Sequence, residues 1–372
     1  MRDDRVDRAQ LRFWSLSDRE NRVSIEKDAV FPDDAPVGLS GQNEMVIGRL
    51  AERILEARSA DRPVMLAFGA HAIKNGLGPV LAHLIEEEVV THLATNGAGI
   101  IHDWELSYLG RTSEHVERNA RRGRFGAWEE TGRYLNLALL LGAFRGLGYG
   151  ASVGAMIEEE HLEIPEPGWL RDQIRNELAA PVVSEVLPAA GDLLSVLETS
   201  DLEPGRVDLP HRFAEYSVQA AAYREDVPFT GHPMFGHDII YLHPLNCGAA
   251  IGRAAERDFL SFAETVSRLD GGVYVSMGSA VMSPMVFEKS MSMAQNIASR
   301  EGRTITDHMI VVNDIQESTW DWSRGEPPED HPDYYLRFFK TFHRMGGELH
   351  YACCDNRDFM LGLCRELSGG GS

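Results

Sequence analysis

The sequence predicts an α/β fold, Rossmann-like and doubly wound, with a mostly parallel sheet and a helical insertion. It rests on three features. Short apolar runs of strand length alternate with segments of helical spacing in both halves of the chain. Between Val64 and Thr95 a complete strand–helix–strand unit is legible, which calls for a right-handed parallel crossover. Most of the strand candidates run into small and polar residues, the chemistry of a ligand crevice at the carboxyl edge of an open sheet.

Residues 1–60 read as an N-terminal arm and a helix, with helical apolar spacing over Glu44 to Ala57. Residues 61–368 read as one Rossmann-like domain, and residues 369–372 as a flexible tail. Val64 to Phe68 is a buried strand, Gly69 to Gly76 a loop, and Leu77 to Glu88 a helix. Val89 to Thr95 is the next strand. It breaks into Asn96-Gly97-Ala98-Gly99 and restarts with His102, Asp103 and Glu105. Glycines there let a ligand approach the backbone, and a helix start offers free N–H groups. Thr112 is a candidate cap for a helix through Arg121. A helix fits Ala127 to Leu147, and residues 148–225 are mostly helical between prolines, so a helical insertion spans about residues 113–225. Strand signals resume at Val227 to Phe229 and at Asp238 to Leu242. Ala249 to Leu269 is helical, Val273 to Ser276 a strand, and a Met-rich helix runs to Ser299. Strands at Met309 to Val312 and Glu348 to Ala352 are followed or preceded by helices at Tyr334 to Met345 and Asp355 to Leu367.

The chain has 372 residues, 43% hydrophobic and 25% charged, within the range of a soluble globular protein. No apolar run has the length of a membrane span, and the N-terminus lacks a secretion signal, so the expected compartment is the cytoplasm. A formal charge of −21 argues against nucleic acid and anionic membranes and is compatible with a cationic substrate. The four cysteines form no metal or disulfide pattern.

Five strand ends share small and polar residues: Gly69-Ala70-His71, Asn96 to Gly99, Gly278-Ser279-Ala280, Asn313-Asp314 and Asp355-Asn356. One alone is ordinary turn chemistry; five in one parallel sheet favour a nucleotide or dinucleotide crevice. The run Gly146 to Ala151 nearly spells GxGxxA, but a helix precedes it where the dinucleotide fingerprint needs a strand. His232, His237 and His243, with Asp238, carry the donor types of a zinc or iron site, although their spacing matches no compact motif and hydrogen bonding or substrate contact is the other reading. No metal is assigned. The loop Thr319 to Tyr335 holds Trp320 and Trp322 among acids, and reads either as a solvated loop or as an ammonium-binding lid. Lys340 follows on the next helix.

At these residues the chain resembles the deoxyhypusine synthase family. Met65 to Glu105 is similar to that family's strand–loop–helix–strand segment, which ends in a Thr-Thr-Ala-Gly-Gly turn and an acidic pair. His243 to Gly252 is similar to its Pro-Ala-Leu-Thr-Asp-Gly-Ser-Leu-Gly segment, Val273 to Met291 to its strand and triple-Gly turn, Met309 to Ser318 to its strand ending in Asn-Thr-Ala-Gln-Glu, and Leu349 to Leu363 to its last strand. The resemblance implies NAD as cofactor, a homotetramer, and oxidation of a polyamine with aminoalkyl transfer through an imine on a lysine. It makes Asn96, Gly97, Ala98, Gly99, Gly278, Ser279, Asn313, Asp314, Asp355 and Asn356 the cofactor candidates.

The chain departs from the family at four motifs, and its helical stretch at about residues 113–225 has no matching counterpart there. His102 stands at the acidic pair, Cys247 at the Thr-Asp-Gly aspartate, and Met282-Ser283-Pro284 at the His-rich segment; Lys340 is the nearest lysine to the family's Trp-Gly-Lys motif. The resulting expectation is an NAD-dependent relative acting on a small amine, polyamine or guanidino substrate. His102 or His243 would be the base, Asp103, Asp238 and Glu317 would orient the ammonium beside Trp320 and Trp322, and Lys340 would form the imine. Two alternatives remain: a metal-dependent hydrolase or lyase using His232, His237 and His243, and a non-catalytic NAD- or polyamine-binding protein.

Overall fold

The computed structural model describes residues 5–182 and 184–369. Of the expected tail, residues 370–372 lie outside the described residues, and Gly369 ends the last helix, Asn356–Gly369. Numbered within the central sheet, the strands are β1 Val64–Phe68, β2 His92–Asn96, β3 Phe229–His232, β4 Val273–Met277, β5 Met309–Asp314 and β6 Glu348–Cys353. All pairings are parallel, and the order across the sheet is β6-β5-β4-β1-β2-β3. Read from the other edge this is 3-2-1-4-5-6, the order of dinucleotide-binding folds, with its topological switch point between β1 and β4.

The strands are apolar without alternation because both faces are covered. Val64, Leu66 and Phe68 of β1 and Val273, Val275 and Met277 of β4 join one core, shared with Leu50, Leu81 and Ile100 from three helices. The intervening Met65, Ala67 and Tyr274 point to the opposite face and pack with Phe262, Phe287 and Phe342 of helices Gly248–Ser267, Met282–Arg300 and Arg337–Arg344. Each such large side chain contributes about 1.5–3 kcal/mol on burial.

The structure corrects several local expectations. Asp238 to Leu242 is not a strand. It is a 3₁₀ turn, Ile239–Leu242, held on helix Glu129–Arg145 by the Asn136 Nδ2 donating to the Ile240 carbonyl at 2.9 Å. An apolar run this short has no period to distinguish the two. Thr112 caps no helix; it lies in strand Arg111–Glu114, which pairs antiparallel with Asn21–Ser24 of the arm. The loop after β1 contains a short helix, Ala70–Lys74. The insertion, otherwise helical, carries an antiparallel ribbon of His161–Ile164 with Gly205–Asp208.

The Gly146 to Ala151 run is a helix–helix corner. Gly146, at φ +81°, ends helix Glu129–Arg145, and helix Tyr149–Glu159 leaves at 108° to it. Asp258 fills the second helix's N-terminus, accepting from Gly150 N at 3.0 Å and Gly231 N at 2.6 Å. An internal carboxylate thus stands where the fingerprint would place a phosphate. Among the described residues no single helix is long and apolar enough to cross a membrane.

Candidate functional site

At the switch point the turns after β1 and β4 touch. Gly69 N donates to the Met277 carbonyl at 3.0 Å, and a Cβ on Gly69 would lie 2.1 Å from the Gly278 carbonyl oxygen. Gly278, at φ +56°, donates to the Asn313 carbonyl at 2.8 Å and has the Asn356 amide 2.8 Å from where its Cβ would be. Asn313 is fully buried. Its Nδ2 donates to the carbonyls of Ala352 and Cys354 at 3.1 and 2.9 Å, while its Oδ1 is buried without a partner. Ser279 Oγ accepts from Ser283 N at 3.2 Å at the start of helix Met282–Arg300. Asp314 and Asp355 shape their own turns, accepting from Gln316 N and Arg357 N. The structure therefore brings Gly278, Ser279, Asn313 and Asn356 together, with Asp314 and Asp355 on the flanking turns.

The second half of the carboxyl edge lies at β2 and β3, where Asn96 is registered with His232. Asn96 Oδ1 accepts from Gly99 N at 2.9 Å and caps helix Gly97–Leu109. The Asp238 carboxylate sits over Gly97, 2.2 Å from an ideal Cβ at that position. Asp238 Oδ2 and the hydroxyls of Tyr241 and Tyr149 are buried, and Asp238 and Tyr241 lie close enough to influence each other as a hydrogen-bonding pair. Burial, offset in part by His237 and by the Tyr241 hydroxyl, pushes the Asp238 carboxyl up to about 6. Burial and the Asp238 charge push both phenols up, so all three groups share one electrostatic environment. Asp238 and Tyr241 also line an open cavity of about 1060 Å³, whose lining includes Arg5, Arg8 and Phe125.

His102 lies one turn further along helix Gly97–Leu109. Its Nδ1 is 2.7 Å from Thr112 Oγ1, and that hydroxyl donates to Glu105 Oε2 at 2.5 Å. The carboxylate can only accept, so the Thr112 proton points to Glu105 and His102 Nδ1 is the donor. Glu105 is itself held by Arg19 through two bonds of 2.8 and 2.6 Å and by Thr131 Oγ1 at 2.9 Å. Burial pushes His102 down to about 4, Glu105 opposing and the nearby Lys74 and His71 assisting, so the ring is neutral at pH 7.

Other expected site residues are placed elsewhere. Asp103 is buried in the opposite direction, where it accepts from Ser217 Oγ, Val218 N, Gln219 N and Gln219 Nε2 and caps helix Val218–Arg224. Its lone pairs are spent on that helix, which removes it as a substrate contact. His243 is buried against Phe13 and Gly132, with Nδ1 accepting from Leu245 N and Nε2 3.5 Å from Glu129; it does not reach the glycine turns. Lys340 points its Nζ at the Tyr334 ring, 3.4 Å from the centroid, and 4.0 Å from Glu326. It lines a separate cavity with Met285 and Arg344 that includes no glycine-turn residue.

The aromatic loop is folded onto the protein. Trp322 stacks on Phe339 at 4.9 Å, and Trp320 Nε1 donates to the Gly325 carbonyl at 2.8 Å, while Asp333 anchors the loop backbone. Glu317 is exposed near Cys353. His232 bonds Thr230 Oγ1, which in turn meets the fully buried His92 at 3.1 Å. His232, His237 and His243 do not converge, and among the described residues no three His, Cys, Asp or Glu side chains are grouped to hold a metal ion.

Two residues of this edge escaped sequence reasoning, Tyr149 and Tyr241. Tyr149 lies inside the Gly146 to Ala151 run, and Tyr241 in the segment that reads as a strand. The signal for Tyr241 was its i+3 spacing from Asp238, which a 3₁₀ turn places on one side.

No family model matches the chain, and no curated protein matches it. Among solved structures it is similar to unliganded AgrE, with a TM-score of 0.44 and 15% identity over 90% of this chain and 34% of that one. It is also similar to ArgZ, an arginine dihydrolase from the ornithine–ammonia cycle in Cyanobacteria, with a TM-score of 0.43 and 14% identity over 88% of this chain and 33% of that one. A protein described as a "conserved putative LOR/SDH protein" from Methanococcus maripaludis S2 gives a TM-score of 0.43 and 13% identity over 91% of this chain and 74% of that one. The chain thus spans about a third of the length of AgrE and ArgZ, and none of these three is a deoxyhypusine synthase.

Proposed function

We propose that this chain is an NAD-linked enzyme that oxidises a small cationic amine at the carboxyl edge of its sheet. The observation that carries the reading is the 3-2-1-4-5-6 strand order with the bare Gly69 and Gly278 turns meeting at the switch point. The residues there fit the cofactor: Gly278 is partly exposed in a left-handed turn with no side chain, and Asn313, whose carbonyl accepts from Gly278 N, keeps its Oδ1 unpaired. Gly278, Ser279, Asn313, Asp314, Asp355 and Asn356 would hold NAD, and Asn96, Gly97, Ala98 and Gly99 would border its nicotinamide side. When bound, NAD supplies a hydride acceptor for the carbon bearing the amine nitrogen.

Asp238 binds the ammonium in this reading. A carboxyl raised to about 6 is also suited to take a proton from nitrogen near neutral pH. His102 is fixed with Nδ1 protonated and Nε2 bare, on the helix that Gly97 begins, and serves as a neutral acceptor beside His71 and Lys74. Aminoalkyl transfer through a lysine imine, as in deoxyhypusine synthases, is not part of the proposal, because Lys340 is engaged by Tyr334 and Glu326 in another cavity.

The test is to titrate purified protein with NAD, add a panel of primary amines, and follow absorbance near ~340 nm. Growth of that absorbance with at least one amine is the expected result. Failure of NAD to bind under any condition would sink the proposal.

A further inference from the structure

We infer that His232, Thr230, His92 and Thr265 form a relay that carries a proton from the carboxyl edge of the sheet to its amino side. The inference rests on the amine-oxidation reading above only for the source of that proton.

The chain of contacts is continuous. His232 Nε2 lies 3.0 Å from Thr230 Oγ1, Thr230 Oγ1 lies 3.1 Å from His92 Nε2, and His92 Nδ1 lies 2.8 Å from Thr265 Oγ1. Thr230, His92 and Thr265 are buried, and His232 is half-buried at the end of β3. One Phe262 ring meets both imidazoles edge-on, its centroid 5.5 Å from His92 and 5.4 Å from His232. Burial keeps both rings neutral at pH 7, so each carries one N–H. At the head of the chain, His232 is registered with Asn96, and the next residue, Gly97, lies under the Asp238 carboxylate. At the tail, Thr265 Oγ1 is 3.3 Å from the Ser261 carbonyl. Ser261 and Thr230 line an open cavity of about 550 Å³, together with Val227 and Pro228 just before β3.

A hydroxyl and a neutral imidazole each donate and accept, so the chain has two ordered arrangements. In the first, His232 Nε2–H donates to Thr230, Thr230 to His92 Nε2, His92 Nδ1–H to Thr265, and Thr265 to the Ser261 carbonyl. In the second, the donors along the chain are reversed and His232 holds its proton on Nδ1. Oxidation of R–CH₂–NH₃⁺ to R–CH=NH₂⁺ gives up one hydride, which the cofactor accepts, and one proton. A proton arriving at His232 Nδ1 converts the first arrangement into the second and expels one proton from Thr265 Oγ1. Charge is conserved, and no bond between heavy atoms changes. A static arrangement also exists, with both rings donating from Nε2 to Thr230 and its hydroxyl turned to the Leu93 carbonyl. That contact is 3.3 Å, longer than either imidazole contact and long for a hydroxyl donor, which places the Thr230 hydrogen on the imidazole axis. The Thr265 contact with the Ser261 carbonyl is equally long, and it lies where the chain lets its hydrogen go.

The test is nitrogen and proton NMR of the full chain with labelled histidine and no ligand. His92 and His232 are expected to hold their protons on opposite ring nitrogens, one on Nδ1 and the other on Nε2. The His92 ring N–H is expected to exchange with solvent deuterium at least ~10-fold faster in the wild type than in Thr230→Val, and Thr230→Ser to keep the wild-type rate. Backbone amide protection in β2 checks that both variants fold. Nε2–H on both rings overturns the inference, as does one exchange rate shared by the wild type and Thr230→Val; Thr230 then only ties β2 to β3. Opposite tautomers and Thr230-dependent exchange, with no amine oxidised, remove the oxidation reading and leave the relay standing. Oxidation of an amine without them does the reverse.

Discussion

The Asp238 carboxylate occupies the space that a side chain at position 97 would need, its Oδ2 lying 2.2 Å from an ideal Cβ on Gly97. This contact locks the turn after β3 onto the start of helix Gly97–Leu109, and it gives the first prediction. Gly97→Ala must push the Asp238–Tyr241 turn outward, at a cost of about 1–3 kcal/mol in stability. Gly48→Ala is the control. Position 48 lies inside helix Gly41–Ser59 with nothing within 4 Å of its Cβ, so alanine there should stabilise by about 0.5–1 kcal/mol. Urea unfolding of the two variants measures both effects; equal behaviour would contradict the close contact.

His102 gives a pH prediction. Its folded pKa, about 4, lies below the ordinary 6.5 because the ring is buried. Between those values the unfolded chain binds more protons than the folded one, so stability rises with pH there. The contribution is complete above pH 6.5 and is lost as the pH falls toward 4. His102→Asn should flatten the slope of unfolding free energy across that window by up to about 1.4 kcal/mol per pH unit. Nitrogen NMR should find the wild-type ring neutral at pH 7 and protonated on Nδ1. A protonated ring at pH 7 would contradict the buried network.

Arg19 and Glu105 form an ion pair with both side chains at most 2% exposed. Arg19→Met should cost about 3–5 kcal/mol, because it strands the Glu105 charge. Adding Glu105→Gln to that variant should recover a large part of the loss, measured by a double-mutant cycle in urea. Additive losses would mean that the two residues act independently.

Asp103 and Lys340 separate structure from chemistry. Asp103→Ala uncaps helix Val218–Arg224 and leaves its N–H groups unpaired, an expected loss of about 1–3 kcal/mol. Affinity for NAD in the folded protein should be unchanged. Lys340→Met should leave NAD affinity unchanged. A ligand affinity that falls ~10-fold in either variant would return that residue to the site.

The central sheet was legible because its strands are buried on both faces and read as short apolar runs between helical segments. The turns after β2, β4, β5 and β6 were legible for the same reason, since a strand's end fixes where its turn must be. Side-chain direction was not. His102 and Asp103 are neighbours on one helix, about 100° apart, and one joins Thr112 and Glu105 while the other enters the start of helix Val218–Arg224. Which neighbour each one meets depends on elements more than a hundred residues away in Asp103's case. Tyr149 was hidden for a similar reason: its glycine-rich surroundings form a corner between helices, and only tertiary packing buries it within reach of the Asp238 charge.

The most direct test of the central claim is calorimetric titration of NAD into the wild-type chain and into Gly278→Val. Position 278 combines a left-handed φ of +56° with the Asn356 amide 2.8 Å from the Cβ site, so valine must distort the turn at the switch point. The account predicts NAD binding to the wild type and a loss of ~10-fold or more in the variant, with helix and sheet content retained. No binding by the wild type, or equal binding by both, would contradict it.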